Sequence, residues 1–292
     1  MRKILIFLLL LGCNCSLSGQ SLGFLVIHPD AETAGMAGTS VGLRGNAYAP
    51  ENNMAAAALA KNRMDAGAGF TLWMPGVSKN NLLTASGYFK VTDKFALGAD
   101  FKYFSYPAYA VTSPEGRSSS EFQPKEFSVG LGASFQIMEG LAAGLHLKMA
   151  SSALAKDAKG SAFGADISLK YEKDALQAGL SAENIGTKVK YDNNAYPMPL
   201  FIRGGVAYSF SGLTTSLEAD YLDGGVMAGA GLQYAIKEIA FVRAGYHYGN
   251  AIPSYASLGL GFKFSGIHAD FFYLLASKTL GNTLGFGLGY SF

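Results

Sequence analysis

An alternation of large apolar residues with small or polar ones runs through most of this 292-residue chain and constrains its fold. The last nine residues, LGFGLGYSF, carry a large apolar side chain at every second position and end on Phe292. Successive side chains of a β-strand point to opposite faces, so this segment has one apolar face and one nearly bare face. The same pattern recurs back to about residue 63, and the sequence therefore predicts an all-β fold.

Most of the alternating segments are ten or more residues long, whereas strands of soluble proteins usually have about five or six. On the central ones, charges of both signs occupy one face and the other face carries none. We predict about fourteen strands, near residues 63–73, 80–91, 94–106, 122–136, 141–153, 161–172, 175–183, 200–211, 213–221, 225–236, 240–249, 254–265, 267–275 and 282–292.

The connections between these strands alternate between short turns and longer loops, with one short turn, 222–224, where a long loop is expected. That layout is typical of outer-membrane barrels, whose short turns face the periplasm. The sequence thus predicts a transmembrane antiparallel β-barrel surrounded by outer-membrane lipid. The alternative, a soluble β-sandwich, would also alternate but would have shorter strands.

Composition agrees with a membrane barrel. Charged residues make up 15% of the chain, against roughly 25% in soluble domains. No internal segment approaches the ~18 consecutive apolar residues that a spanning helix needs. The net charge of +2 gives no reason to expect a nucleic-acid partner.

Residues 1–20 have the pattern of a signal peptide. Two basic residues precede an apolar run over 4–11, which small and polar residues follow. Cleavage near residues 19–20 would remove both cysteines and exclude disulfides and thiol chemistry. The alternative is a lipoprotein signal with Cys13 as the lipid acceptor.

The segment 21–61 lacks the strand pattern, and the barrel is expected to occupy 62–292. Its second part, 47–61, predicts one short helix, with Pro50 and Glu51 near the start. A cylinder of about fourteen strands is wide enough to need filling. We therefore expect an amino-terminal luminal plug; the alternative is a surface helix on the periplasmic side. The plug's expected partners are the charges on the inward strand faces: Asp100, Lys102, Asp166, Lys170, Glu183, Arg203, Glu218, Asp220, Arg243, Lys263 and Asp270.

The sequence contains no recognisable catalytic or metal-binding pattern. The four histidines are far apart, and no pair has metal-ligand spacing on one element. They are His28, His146, His247 and His268. The last three fall on inward faces beside charged residues, where a hydrogen-bonded network is the expected role. We expect no enzymatic activity, no cofactor and no metal.

Aromatic and proline residues cluster in and beside the two longest segments between strands, at the outward rim. Such residues can dock a protein partner, or they can simply stiffen the loops. The candidate partner-docking residues are Tyr106, Tyr109, Phe122, Tyr196, Pro197 and Pro199.

Three blocks resemble the PorV/PorQ family of Bacteroidota outer-membrane proteins. The first is 24–60, FLVIHPDAETAGMAGTSVGLRGNAYAPENNMAAAALA, in which Met54 stands where the family usually has proline. The other two are 126–149 and 183–210. In the first block the matching positions are Phe24, Pro29, Asp30, Ala31, Gly35, Met36, Gly38, Ala47 and Asn53.

The resemblance implies a FadL-like barrel of fourteen strands with an amino-terminal hatch and a role in type IX secretion. PorV-like barrels associate with the translocation channel and pass cargo to an attachment complex, while PorQ-like members anchor a surface partner. We therefore expect a docking or scaffold component of type IX secretion or of a related surface-protein assembly. The alternative is a FadL-like channel for hydrophobic small molecules.

Overall fold

Fourteen antiparallel strands form one closed barrel, in which the first strand pairs with the last. The structure, a computed structural model, describes residues 21–112, 118–277 and 281–292. The barrel strands are β1 (Met64–Trp73), β2 (Asn80–Thr92), β3 (Phe95–Ser105), β6 (Lys125–Met138), β7 (Leu141–Ala153), β8 (Lys159–Lys173), β9 (Leu176–Gly186), β12 (Phe201–Phe210), β13 (Leu213–Leu222), β14 (Gly225–Ile236), β15 (Ala240–Gly249), β16 (Tyr255–Phe264), β17 (Ile267–Leu275) and β18 (Thr283–Ser291). The predicted barrel of about fourteen strands is confirmed. The expected leader, with its two cysteines, lies outside the described residues.

Four further strands form two hairpins within the long connections. They are β4 (Tyr109–Thr112) with β5 (Ser118–Phe122), and β10 (Val189–Tyr191) with β11 (Asn194–Tyr196). The sequence predicted loops there and assigned residue 122 to a barrel strand, and both expectations are wrong. Aromatic pairs across each hairpin favour the strands: ring centroids are 5.9 Å apart in the first hairpin and 6.0 Å apart in the second.

The tight turns lie at the same end of the barrel as the start of β1 and the end of β18. In Ser211-Gly212 and Ser265-Gly266 both central residues have positive φ, as in the two-residue turns that suit the twist of antiparallel strands. The two hairpins lie at the opposite end. Because short turns of membrane barrels face the periplasm, the hairpin end is the outer end.

The outside of the barrel is apolar and the inside is polar, the reverse of a soluble protein. On β6, Leu131 is 71% exposed while Ser128, three residues earlier, is 3% exposed. Exposed leucine, valine, isoleucine and phenylalanine side chains cover the outer faces of strands around the barrel. This surface is suited to hydrocarbon.

Short helices occur only in the amino-terminal part of the described residues. A 3-10 turn (Gly23–Val26) precedes α1 (Ala31–Ala34), α2 (Ala49–Asn52) and α3 (Ala55–Leu59). None of these helices has the length and apolar character that a membrane crossing requires.

The single helix predicted over 47–61 is wrong. Asn53 is extended and separates α2 from α3, and its side-chain oxygen accepts a 3.1 Å hydrogen bond from the Ala55 amide. The Asn53 amide group also donates to the carbonyl oxygens of Val41 and Leu169, at 3.0 and 3.1 Å. Bonds to such distant residues, which cannot be read from local sequence, hold the break in place.

A charge placed on the outer face should destabilise the barrel according to its depth in the membrane. Leu131→Lys, at the middle of β6, should lower the free energy of unfolding by ~2–4 kcal/mol. Phe264→Lys, at the last residue of β16, is the matched control and should cost only ~0–1 kcal/mol. Denaturant unfolding in lipid vesicles measures both, and equal costs would contradict the membrane placement.

Candidate functional site in the lumen and at the outer end

The segment 22–60 lies inside the barrel and descends from its outer end to its periplasmic end. Leu22 packs against residues at the outer end, in the same buried cluster as Leu82 and Phe104. At the other end, the Ala60 carbonyl accepts a 2.9 Å hydrogen bond from the Lys90 ammonium, near the end of β2. We call this segment the plug.

Lys102, on the inward face of β3, holds the upper part of the plug. Its ammonium donates to the backbone oxygens of Leu25 and Ile27, at 3.4 and 3.1 Å. It also pairs with the Glu51 carboxylate at 2.7 Å. Both charged side chains are almost fully buried, so each depends on the other for compensation.

Arg203 and Glu218, on neighbouring strands, hold the middle of the plug. Glu218 Oε2 accepts the backbone amides of Ser40 and Val41 at 2.8 and 2.9 Å. Arg203 pairs with Glu218 and donates to the Gly38 carbonyl at 3.1 Å and to the Ser40 hydroxyl at 2.7 Å. The wall thus binds both amide and carbonyl groups of the plug backbone.

The lower plug lies directly on the wall. The Lys170 ammonium donates to the carbonyls of Gly42 and Leu43, at 2.7 and 2.5 Å. On the next strand, a side chain added to Gly179 would place its Cβ only 1.9 Å from the Val41 carbonyl oxygen. Glycine at this position therefore permits the plug backbone to touch the barrel backbone.

A buried network of charged side chains lies above α3. His146 bridges two carboxylates, with Nε2 2.5 Å from Asp100 and Nδ1 2.8 Å from Asp166. The Lys148 ammonium is 2.8 Å from Asp166. For His146, this is the hydrogen-bonded network that the sequence led us to expect.

The other two strand histidines also have polar or aromatic neighbours. His268 lies 3.2 Å from Asp65 and 3.5 Å from Asp270, and His247 stacks on the Tyr255 ring with centroids 4.9 Å apart. Within the described ranges, His, Cys, Asp and Glu side chains form no group of three that could hold a metal ion.

Burial shifts the pKa of two titratable groups of the plug. Asp30 caps α1, since its Oδ1 accepts the Thr33 amide at 2.7 Å, and its Oδ2 accepts from Asn52 at 2.7 Å. Burial, reinforced by nearby Glu32, raises the pKa of Asp30 to about 6. Burial and the Arg203 charge hold the pKa of His28 well below its ordinary value.

The structure divides the six candidate rim residues between two places. Tyr106 and Tyr196 pack against one apolar cluster that closes the outer end over the start of the plug. Pro197 and Pro199 are half-buried and buried, and their carbonyls accept from Ser21 and Asn184 at 3.5 and 2.9 Å. These four residues therefore cover the opening.

Tyr109 and Phe122 form the second group, on the hairpin β4–β5. Tyr109 is 42% exposed, and its hydroxyl donates to the Leu154 carbonyl at 3.1 Å. The hairpin therefore lies over the neighbouring β7–β8 loop with an exposed aromatic edge. A docking role for the six residues stays a prediction.

The sequence analysis did not identify the buried residues of the apolar cluster that closes the outer end of the barrel. The non-polar stretch 22–27 was the available signal, but it has no periodicity to show what it packs against. The cluster consists of Leu22, Phe24, Leu25, Leu82, Phe104, Ala150, Ala162, Val189 and Met198.

A cavity of about 490 Å³ with a mixed polar and apolar lining lies beside the lower plug, at the periplasmic end of the lumen. Arg243 stands in its wall, bonded to Gln233 at 2.6 Å and to Asp270 at 2.6 Å. Lys263, the one exposed member of the predicted inward charges, also lines it. Charged and apolar side chains line this cavity together, the apolar ones including Phe210, Phe241 and Phe262.

Comparison with known proteins identifies the family. The family model for the type IX secretion system protein PorV matches residues 16–220. The chain belongs to the PorV family. Family and closed barrel together place the protein in the outer membrane. No curated protein matches the sequence of this chain.

Solved structures with the same fold are FadL-like outer-membrane barrels. The Pseudomonas putida toluene transporter TodX aligns with a TM-score of 0.65 and 14% identity, over 90% of this chain and 97% of that one. The Ralstonia pickettii toluene transporter TbuX gives 0.65 and 11%, over 90% and 97%. A Pseudomonas aeruginosa FadL homologue gives 0.66 and 12%, over 91% and 99%. At sequence identities of 11–14%, these similarities show a shared fold and nothing further.

Removing the ammonium of Lys102 should loosen the plug but not the barrel. Lys102→Met leaves the Glu51 carboxylate buried without its partner, which costs ~3–5 kcal/mol. Hydrogen–deuterium exchange should then rise across 22–60 while the barrel strands stay protected. Lys94→Met, in the exposed β2–β3 turn, is the control. Exchange of the plug at the wild-type rate would contradict this role.

Asp30 should make the plug more stable at acidic pH. Its folded pKa of about 6 exceeds the ordinary 3.8, so the folded plug binds the proton more tightly than the opened plug does. The penalty for the buried charge is complete above about pH 7 and disappears as the pH falls towards about 4.

The test compares the wild type with Asp30→Asn, which keeps an acceptor for Thr33 but cannot ionise. Protection of residues 30–34, corrected for intrinsic exchange, should rise in the wild type relative to the variant between pH 7.5 and pH 4.5. A difference independent of pH would exclude Asp30 as the source.

Proposed function

We propose that this protein acts as a docking or scaffold component in type IX protein secretion or in a related surface-protein assembly. The observation that carries the proposal is the filled lumen. Wall side chains bind the plug backbone at three levels, through Lys102, Arg203 with Glu218, and Lys170. A barrel occupied in this way offers its ends and its outer wall to partners. Membership of the PorV family supports the same role.

The hairpin β4–β5 is our candidate for the docking surface. It lies at the outer end and carries the aromatic pair Tyr109 and Phe122, with ring centroids 5.9 Å apart. Aromatic residues of this kind often supply most of the binding energy at protein interfaces. The remaining four rim candidates pack over the opening of the barrel.

Co-purification from native membranes in mild detergent tests the proposal. The wild type should retain type IX secretion or surface-assembly proteins, quantified by mass spectrometry. The double variant Tyr109→Ser/Phe122→Ser should lose at least about tenfold of them, as expected for interface hot spots. Val77→Ser, an exposed apolar residue of the β1–β2 loop, is the matched control. A wild-type protein that purifies alone would contradict the proposal.

A channel for hydrophobic small molecules is the second candidate. It is supported by the fold shared with toluene transporters and by the apolar side chains that close the outer end of the lumen. Uptake of labelled fatty acid and toluene by a deletion strain separates the two functions. Unchanged uptake together with lost partner assembly favours docking, and reduced uptake favours the channel.

A further inference from the structure

A basic depression lies where the plug joins the barrel, at the periplasmic end. Its volume is about 340 Å³, and its lining is Lys61, Arg63, Lys90, Val91, Thr92 and Asp93. Three cationic side chains thus face a single carboxylate, and the lining carries a net charge of +2 from these groups. Such a site favours an anion.

The backbone fixes the three cations beside one another. The Lys90 amide donates to the Arg63 carbonyl at 2.8 Å, so residues 60–63 run alongside the end of β2. The Lys90 ammonium donates to the Ala60 carbonyl at 2.9 Å, which brings its charge beneath the same segment. Lys61 and Arg63 remain exposed to a ligand.

The depression borders the lipid-facing surface. Phe89 and Val91 point outwards from β2, and each is 44% exposed. The Arg63 guanidinium lies 5.4 Å from the centre of the Phe89 ring, so cation and apolar surface are continuous. The ligand that fits has an anionic head and an apolar tail, and anionic phospholipids of the membrane leaflet at this height have that form.

We propose that Lys61, Arg63 and Lys90 form a binding site for the phosphate of an anionic glycerophospholipid of the periplasmic leaflet, whose acyl chains lie on Phe89 and Val91. Lysine and arginine at a membrane surface attract anionic lipid, and an arginine fork can bind two phosphate oxygens at once. The site would tie the lower end of the plug to the membrane boundary.

Native mass spectrometry of the detergent-purified full-length protein tests this site. The probes are phosphatidylglycerol, phosphatidylcholine with the same acyl chains, and inorganic phosphate. We expect one tightly retained phosphatidylglycerol, weaker retention of phosphatidylcholine and no comparable retention of phosphate. Lys61→Gln/Arg63→Gln should weaken phosphatidylglycerol binding by about tenfold or more.

Lys237→Gln is the matched control, because Lys237 is an exposed cation of the β14–β15 turn at the same end of the barrel. It should bind phosphatidylglycerol like the wild type. Electrophoresis without heating confirms that each variant is a folded barrel. Equal retention of the two lipids, an unaffected double variant or an equal loss in the control would overturn the proposal. Phosphate retained as tightly as the lipid would overturn the lipid assignment.

Discussion

The closed hydrogen-bond ladder is the constraint on which the rest of this structure depends. Hydrocarbon offers no partner to a backbone amide or carbonyl, so each such group of a spanning segment must bond within the protein. Pairing of β1 with β18, from Asp65 with Ser291 to Leu72 with Leu284, removes the last free edge. Once the cylinder closes, the alternation of side chains places the apolar face outwards and forces the charged face inwards.

The inward charges in turn determine how the lumen is filled. A buried charge needs an opposite charge or well-placed dipoles, and the plug supplies both. Much of the contact is made to its backbone: Lys170 and Arg203 bind its carbonyls, and Glu218 binds its amides. Small residues such as Ala55 and the wall glycines allow this close approach. The wall therefore binds the backbone of the plug as much as its side chains.

The barrel could be predicted from the sequence because its signals are local. Period-two alternation located all fourteen barrel strands, and turns such as Ser211-Gly212 marked their ends. The inward charges were predictable for the same reason. The pairing of these charges with the plug could not be predicted. Lys102, the partner of Glu51, lies on a strand, and local sequence does not specify the height and angle of that strand in the barrel.

The errors have the same origin. Asn53 divides the predicted helix because it bonds to Val41 and Leu169, which are distant in sequence. Pro199, expected at an exposed rim, is buried because its segment folds over the start of the plug. Cross-strand aromatic pairs formed hairpins where composition indicated loops. Each of these features depends on contacts between distant parts of the chain.

The path of the plug has a consequence for how the plug can move. Residues 22–60 run from the outer end to the periplasmic end, and side chains from strands on many sides of the wall hold them. At its lower end this segment continues directly into β1, so the wall and its filling are parts of one continuous chain. Any motion of the filling is therefore tethered at the periplasmic end, and the residues farthest from that tether are those at the outer end.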